Sequence, residues 1–218
     1  MSKTSTDNDF LHRSHNYFVG LYHRNVKFII FSTAIFFIAV IIGGLLGYFL
    51  PRSVENFLMT IVKSDQLLAR EHGITTYTIL THNLQSLFIT FLGGVVGVVT
   101  FITIFLNGFI YGSFLGYLGS SHVTSTTLGP LSPTLFIIYT VPHGIFEISG
   151  FIIAGAGGFR LTKIIYNLLK SQDSVSDHYW EFKDAMALFI IAIVLIVIAA
   201  IIEANYTLPL GNYITHLH

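Results

Sequence analysis

The chain has 218 residues, of which 53% are hydrophobic and 10% are charged, whereas a soluble domain carries about 25% charged residues. This composition excludes an ordinary soluble domain, and the balance of 11 Lys and Arg against 11 Asp and Glu indicates no nucleic-acid partner. Because the chain has no cysteine, disulfides, thiolate zinc sites and thiol nucleophiles are excluded as well.

Charged residues are missing from three long stretches, which predict membrane crossings. No Lys, Arg, Asp or Glu occurs in residues 28–51, 72–146 or 185–202. One crossing needs about 20 apolar residues, so the middle stretch must hold more than one. The apolar runs are continuous rather than alternating, which excludes a transmembrane β-barrel. We therefore predict an all-α, polytopic transmembrane helix bundle.

An amphipathic segment, residues 1–27, comes first and is predicted to lie in the cytoplasm, ahead of a single membrane domain at 28–218. We expect the first span of this membrane domain to be a retained anchor rather than a cleaved signal peptide. The later run from Leu84 to Gly119 would be about 54 Å long as one helix, so it must turn, and we expect the turn at Asn107-Gly108. The five predicted spans are 28–50, 84–106, a short piece at 107–119, 133–159 and 185–202.

The positions of Lys and Arg predict the orientation of these spans. With five crossings, the cations before the first span and those before the last fall on one side of the membrane. This side holds eight of the eleven cations: Lys3, Arg13, Arg24, Lys27, Arg160, Lys163, Lys170 and Lys183. By the positive-inside rule, the N-terminus lies in the cytoplasm and the C-terminus outside the plasma (inner) membrane.

Two stretches outside the spans have apolar residues at helical spacing beside charged ones, residues 54–65 and 160–170. This pattern is typical of helices that lie in the membrane interface, or of helices that pack against the bundle. For the second stretch we also consider a sharper hypothesis, contact of Arg160, Lys163 and Lys170 with anionic lipid headgroups.

Glu147 is the acidic residue that lies well inside a predicted span, where burying a charge costs about 3 kcal/mol or more. His143 precedes it by four residues, so the two share one face of a helix. Pro142 suits the first turn of a helix, and with Gly144 it predicts a break in the span. Broken helices near the membrane midplane form the binding sites of many transporters.

Three interpretations of this polar centre remain open: an architectural hydrogen-bonded centre, an ion or solute site, and a metal site. The sequence contains no cofactor-binding motif, so no cofactor is predicted. If the polar centre binds a cofactor, the residue types present favour a divalent metal ion. His143 and Glu147 alone are weak evidence for a metal site, because catalytic zinc usually has three protein ligands. His82 is the candidate for the third ligand. Asn83 and Asn107 are expected to cap helices or to hydrogen bond to Glu147 across helices.

Enzymatic activity is not expected, because no nucleophile elbow, HExxH motif or aspartyl dyad occurs in the sequence. Small residues recur at a spacing of four, which lets membrane helices approach closely. They either pack helices within one chain or provide the face of a homodimer, and without a Walker or GxGxxG pattern they are not phosphate loops. These glycines are Gly93, Gly97, Gly108, Gly112, Gly116, Gly150 and Gly158.

Several motifs between Thr81 and Lys163 resemble the stage II sporulation protein M family, especially its archaeal and uncharacterised members. They are His82-Asn83, Gly93-Gly94, Asn107-Gly108 with Gly112 and Gly116, Pro142-His143-Gly144 with Glu147, and the run Ala154-Gly155-Ala156-Gly157-Gly158 before Arg160. The resemblance implies a multi-pass inner-membrane protein of about five spans, with Pro142, His143, Glu147 and Asn107 as its focal residues.

The resemblance also implies a role. The founding members of that family, in endospore-forming bacteria, anchor peptidoglycan-degrading partners in the engulfing membrane. Our first hypothesis is therefore a membrane scaffold or assembly subunit that works with other membrane proteins. The second is a channel- or transporter-like protein that moves a cation, a proton or a small solute through His143 and Glu147. The third is an intramembrane metal-dependent enzyme.

Overall fold

The computed structural model describes residues 3–72, 75–120, 133–170, 174–207 and 209, and these residues are helical apart from short turns. The all-α transmembrane bundle predicted from the sequence is confirmed. A 3-10 turn lies at Gly93–Val95, another at Val175–His178, and a π-helical turn at Glu203–Thr207. The α-helices are α1 (Lys3–Phe49), α2 (Pro51–His72), α3 (Thr76–Leu92), α4 (Val98–Gly119), α5 (Pro133–Lys170) and α6 (Tyr179–Ile202).

Four of the described helical segments are long and apolar enough to cross a membrane: His15–Phe49, Val98–Gly119, Thr140–Lys170 and Ser176–Thr207. The 17-residue α3 packs against α4, α5 and α6 in the same bundle. The chain is thus a multi-pass membrane protein. Helix α1 runs without a break from Lys3 to Phe49, so residues 3–27 and the first predicted span lie in one helix. The connection 121–132 and most of the tail after Thr207 lie outside the described residues.

Helices α1, α4 and α6 run in one direction and α3 and α5 in the other, so α1 and α4 are a parallel pair. Phe36 faces Gly108 at one level of this pair, and Gly44 faces Gly116 at a later level. Both α5 and α6 are long, and they pack as an antiparallel hairpin. We call the end of the bundle that holds Arg160 the basic end; α1 finishes at the opposite end.

Helix α2 lies at that opposite end, with one side against the bundle. Val54 and Leu58 are buried, and they pack with Tyr117 and Leu118 at the end of α4. The other side of α2 carries exposed residues such as Lys63. The amphipathic pattern of this stretch therefore corresponds to a helix that packs on the end of α4 while its polar side faces outward.

The turn between α3 and α4 lies at residues 93–97, so the prediction of a turn at Asn107-Gly108 is wrong. Gly97 has a φ of 78°, a left-handed conformation that glycine adopts without a steric penalty. A Cβ atom at Gly94 would collide with the backbone of Gly158. Asn107 instead lies inside α4, where its side-chain amide donates to the carbonyl of Thr103 at 2.8 Å.

The predicted helix break at Pro142 and Gly144 is also wrong, because α5 continues through both residues. Proline removes one backbone donor from the helix. Membrane helices tolerate this loss where neighbouring helices and polar side chains satisfy the freed groups. His143 and Gly144 are both buried at this point, so other parts of the bundle pack against this turn of α5.

Glycines bring the backbones of α1 and α4 into direct contact. A Cβ atom at Gly108 would collide with the carbonyl of Phe36, and one at Gly112 would collide with the carbonyl of Val40. Only glycine permits so close an approach. We call this contact the glycine seam; it comprises Gly43, Gly47, Gly108, Gly112 and Gly116.

Adjacent glycines of α1 provide a test of the seam. A Cβ at Gly43 would collide with the Phe109 carbonyl and lie 2.9 Å from the Ser113 amide, whereas one at Gly44 would lie 3.7 Å from the Gly112 carbonyl, an ordinary contact. Both alanine variants gain the same helix propensity. We expect Gly43→Ala to be less stable than Gly44→Ala by about 1–3 kcal/mol through overpacking. Thermal unfolding in detergent measures the difference, and equal stabilities would contradict the seam.

Candidate functional site

A polar cluster joins α5 to the π-helical turn that follows α6. Nε2 of His143 lies 3.7 Å from Oε2 of Glu147 and 3.9 Å from Oε2 of Glu203. The three side chains offer ligand atoms that all lie within 4.8 Å of one another. His143 and Glu147 meet because residues four apart share a helix face. We call these three residues the polar centre.

Two hydroxyl groups support the polar centre from outside. The hydroxyl oxygen of Thr207 lies 3.4 Å from Nδ1 of His143, and the hydroxyl of Tyr111 on α4 lies beside the Glu147 carboxylate. Thr207 and Glu203 stand at the two ends of one π-helical turn. Such turns are rare in proteins, but those that occur often lie at functional sites. Three elements of the bundle thus converge on one imidazole and two carboxylates.

The polar centre lies toward the end opposite the basic end. At 1.5 Å per residue, Glu147 is about 20 Å along α5 from Arg160. The uncharged run 185–202 of α6 is about 27 Å long by the same measure, close to the hydrocarbon thickness of about 30 Å. Glu203 follows this run directly. The centre therefore extends from within the apolar layer to its boundary.

Other candidates from the sequence lie apart from the polar centre. His82 is exposed on α3, and it is not a member of the three-residue cluster found among the described residues. Asn83 lies within α3 and Asn107 within α4, so neither caps a helix. Of the predicted glycines, Gly150 faces Ile196 of α6. The described residues thus place Glu203 where the sequence suggested His82 as the third ligand.

Glu203, Thr207 and Tyr111 are absent from the sequence-based candidates. For Glu203 a signal was available, because residues equidistant from the turn of an antiparallel hairpin face each other. His143 and Glu203 are equidistant from position 173, in the connection between α5 and α6. Tyr111 offered no such signal, since its contact with Glu147 depends on how α4 packs against α5.

A second cluster, the basic-end network, binds α1, α5 and α6 together. The buried guanidinium of Arg160 contacts Oδ2 of Asp184 at 3.2 Å and donates to Oδ1 of Asn25 at 2.6 Å. Arg24 makes a bidentate contact with the same aspartate, at 2.7 and 2.8 Å. The backbone carbonyl of Arg24 also accepts a hydrogen bond from the Arg160 guanidinium. Buried charges persist where acceptors of this kind surround them.

The three cations considered for lipid contact have different surroundings. Arg160 is only 7% exposed and faces the basic-end network. Lys163 pairs with Glu181 at 2.7 Å, and Lys170 lies over the ring of Tyr166. Contact of Lys163 and Lys170 with anionic headgroups stays a prediction, whereas the guanidinium of Arg160 faces the protein interior.

Comparison with known proteins agrees with the resemblance seen in the sequence. The family model for stage II sporulation protein M matches residues 28–208. The uncharacterized protein MJ0793 of Methanocaldococcus jannaschii is 36% identical over 140 residues, which cover 63% of this chain and 73% of that protein. The uncharacterized protein MJ0706 of the same organism is 22% identical over 205 residues, or 87% of this chain and 85% of that protein. No solved structure matches significantly.

Removing the carboxylate of Asp184 tests the basic-end network. We expect Asp184→Asn to lower the free energy of unfolding by about 3 kcal/mol, because it leaves the Arg160 charge buried without a counter-charge. Lys163→Gln is the control, since it removes a half-exposed pair worth about 1 kcal/mol or less. Thermal and denaturant unfolding of the purified variants measure both losses, and equal effects would contradict a special role for the network.

Proposed function

Because this chain belongs to the stage II sporulation protein M family, we propose that it acts as a membrane scaffold or assembly subunit, a fixed platform for other membrane proteins. The observation that carries the proposal is that two sets of contacts, the glycine seam and the basic-end network, hold the helices of the bundle together. A scaffold needs one stable arrangement of helices, which these contacts provide.

The glycine seam opposes sliding of α1 against α4. Backbone groups of the two helices are in contact at successive levels, from Phe36 with Gly108 to Gly44 with Gly116. A small shift along the helix axis would bring Cβ atoms such as that of Ala39 against the neighbouring backbone. Close-packed interfaces resist such continuous deformation.

The basic-end network opposes relative motion of the other helices. Arg160 on α5 contacts both Asn25 on α1 and Asp184 on α6. Separating these helices would leave a buried guanidinium without a partner, at a cost of about 3–5 kcal/mol. Together the two lines of contact hold four of the long helices in one arrangement.

A channel or transporter is the second candidate function, and the polar centre is the observation that favours it. Its carboxylates extend into the apolar layer, where ionisable residues mark the paths of ions and protons in many membrane proteins. The side chain of Glu147 is 12% exposed and that of Glu203 24%.

Ion flux through liposomes separates the two candidate functions. We expect purified wild-type protein to give no flux of protons, Na⁺ or K⁺ above that of empty liposomes, because a scaffold offers no conducting path. Glu147→Gln and the control Glu181→Gln, at the basic end, should then behave alike. A flux in the wild type that Glu147→Gln abolishes, with the fold retained by circular dichroism, would overturn the scaffold proposal.

Assembly is tested in the membranes of the native host. We expect photo-crosslinking from lipid-facing positions to give one discrete adduct with a second membrane protein, from one face of the bundle only. Exposed positions on two faces, Phe101 of α4 and Ile190 of α6, serve as each other's control. Equal and unspecific adducts from both positions would contradict a scaffold.

For the location of the chain, we propose the cell membrane with the N-terminus in the cytoplasm. The basic end, with Arg24, Arg160 and Lys163, supports this orientation through the positive-inside rule. At the opposite end, α3 begins near Thr75, which we therefore place outside.

Single cysteines test this orientation cleanly, because the natural chain has none. Ser174 and Thr75 are both exposed and lie at opposite ends of the bundle. We expect an impermeant maleimide to label Thr75→Cys in intact cells, and to label Ser174→Cys only after the membrane is opened. The reverse pattern would refute the proposed orientation.

A further inference from the structure

We propose that His143, Glu147 and Glu203 bind a divalent transition-metal ion, for which Zn²⁺ is the best match. The site would lie at the end of the apolar layer, between α5 and the π-helical turn. The inference does not depend on the scaffold proposal, because a bound ion is compatible with either candidate function.

The spacing of the ligand atoms suits a metal better than direct hydrogen bonds. Nε2 of His143 lies 3.7 and 3.9 Å from the nearest oxygens of Glu147 and Glu203, too far for an N–H···O hydrogen bond, which is already lost at about 3.6 Å. With bonds of about 2.0–2.2 Å, ligands of a tetrahedral zinc ion are separated by about 3.3–3.6 Å. All three ligand atoms lie within 4.8 Å of one another, so side-chain rotations that move them by about 1 Å would bring them to the spacing of zinc ligands.

Supporting groups fix two of the three ligands. When Nδ1–H of His143 donates to the Thr207 hydroxyl, 3.4 Å away, Nε2 keeps its lone pair on the side of the carboxylates. The hydroxyl of Tyr111 lies beside the Glu147 carboxylate. Metal-bound histidines and carboxylates regularly have such partners, which orient the ligand.

Charge balance gives a separate argument for a cation. No Lys or Arg occurs between Arg70 and Arg160, or after Lys183, so neither α3 nor α4 offers a counter-charge. Glu147 lies within the apolar layer, where a charge without a counter-charge is costly. One divalent ion with two carboxylates and a neutral imidazole forms a site without net charge.

The donor set indicates which metal fits. An imidazole beside carboxylates suits Zn²⁺ and its transition-metal neighbours, whereas Mg²⁺ and Ca²⁺ prefer oxygen ligands alone. Three protein ligands leave one position of a tetrahedral zinc ion for water. The partial exposure of Glu203 places that position within reach of the aqueous phase.

A histidine–glutamate pair at the basic end shows the contrasting arrangement. Nδ1 of His178 lies 3.0 Å from Oε2 of Glu181, and the other oxygen of this carboxylate pairs with Lys163 at 2.7 Å. A lysine already supplies the counter-charge, and there is one carboxylate instead of two. This pair is therefore a matched control for the polar centre.

The test uses full-length protein in detergent, purified through a tag that contains no histidine and stripped of metal with a chelator. We expect titration with Zn²⁺ to show one tight site per chain. His143→Ala and Glu203→Gln should abolish it, and Thr207→Val should weaken binding by about 10–100-fold through loss of orientation. His178→Ala with Glu181→Gln should bind as tightly as the wild type. Equal binding by wild type and Glu203→Gln, or none by wild type, would overturn the proposal.

If the variants fail to fold, a measurement on the wild-type protein alone still tests the metal site. X-ray absorption at the zinc edge of the 1:1 complex should show nitrogen and oxygen ligands with the multiple scattering of a single imidazole. Two or more imidazoles would place the ion on histidines elsewhere in the chain, such as His216 and His218, and would reject the site.

Discussion

Arg160 lies inside the protein at the end of three packed helices, and a buried guanidinium is tolerated only where acceptors and a counter-charge surround it. Asn25 of α1 and Asp184 of α6 supply them, so the position of α5 relative to both neighbours is fixed at this point. The α5–α6 hairpin then continues in one register toward the opposite end. That register brings His143 beside Glu203, because both are equidistant from the turn. The polar centre thus depends on an ion-pair network about 20 Å away.

The glycine seam fixes the remaining long helices. It brings the backbones of α1 and α4 into contact, which places Tyr111 of α4 over the space between α1 and α5. From there its hydroxyl reaches the Glu147 carboxylate, while its ring packs near Phe36 of α1. Without large side chains in the seam, the gain comes from dispersion contacts and close backbone approach, as is usual for helices in lipid.

Both incorrect local predictions have the same cause. Asn107-Gly108 and Pro142 have strong turn or break propensities, and each lies in the interior of a continuous helix. Propensity is a weak prior that tertiary contacts override. In α4 the glycine is needed for contact with α1, and in α5 the packed surroundings tolerate the missing donor of proline. The real turn uses Gly97, where a positive φ and contact with Thr162 both require a residue without a side chain.

By itself the sequence determined the class of the protein, since charge-free runs must be helical in lipid, where every backbone group needs an internal partner. It also determined that His143 and Glu147 share a face, because helical periodicity acts within one segment. Hairpin symmetry in the sequence places Glu203 opposite His143, but only the tertiary structure decided that Thr207 and Tyr111 complete the centre. Contacts between helices depend on register and rotation, which distant residues such as Arg160 and Gly112 set, and no periodicity within a single helix contains that information.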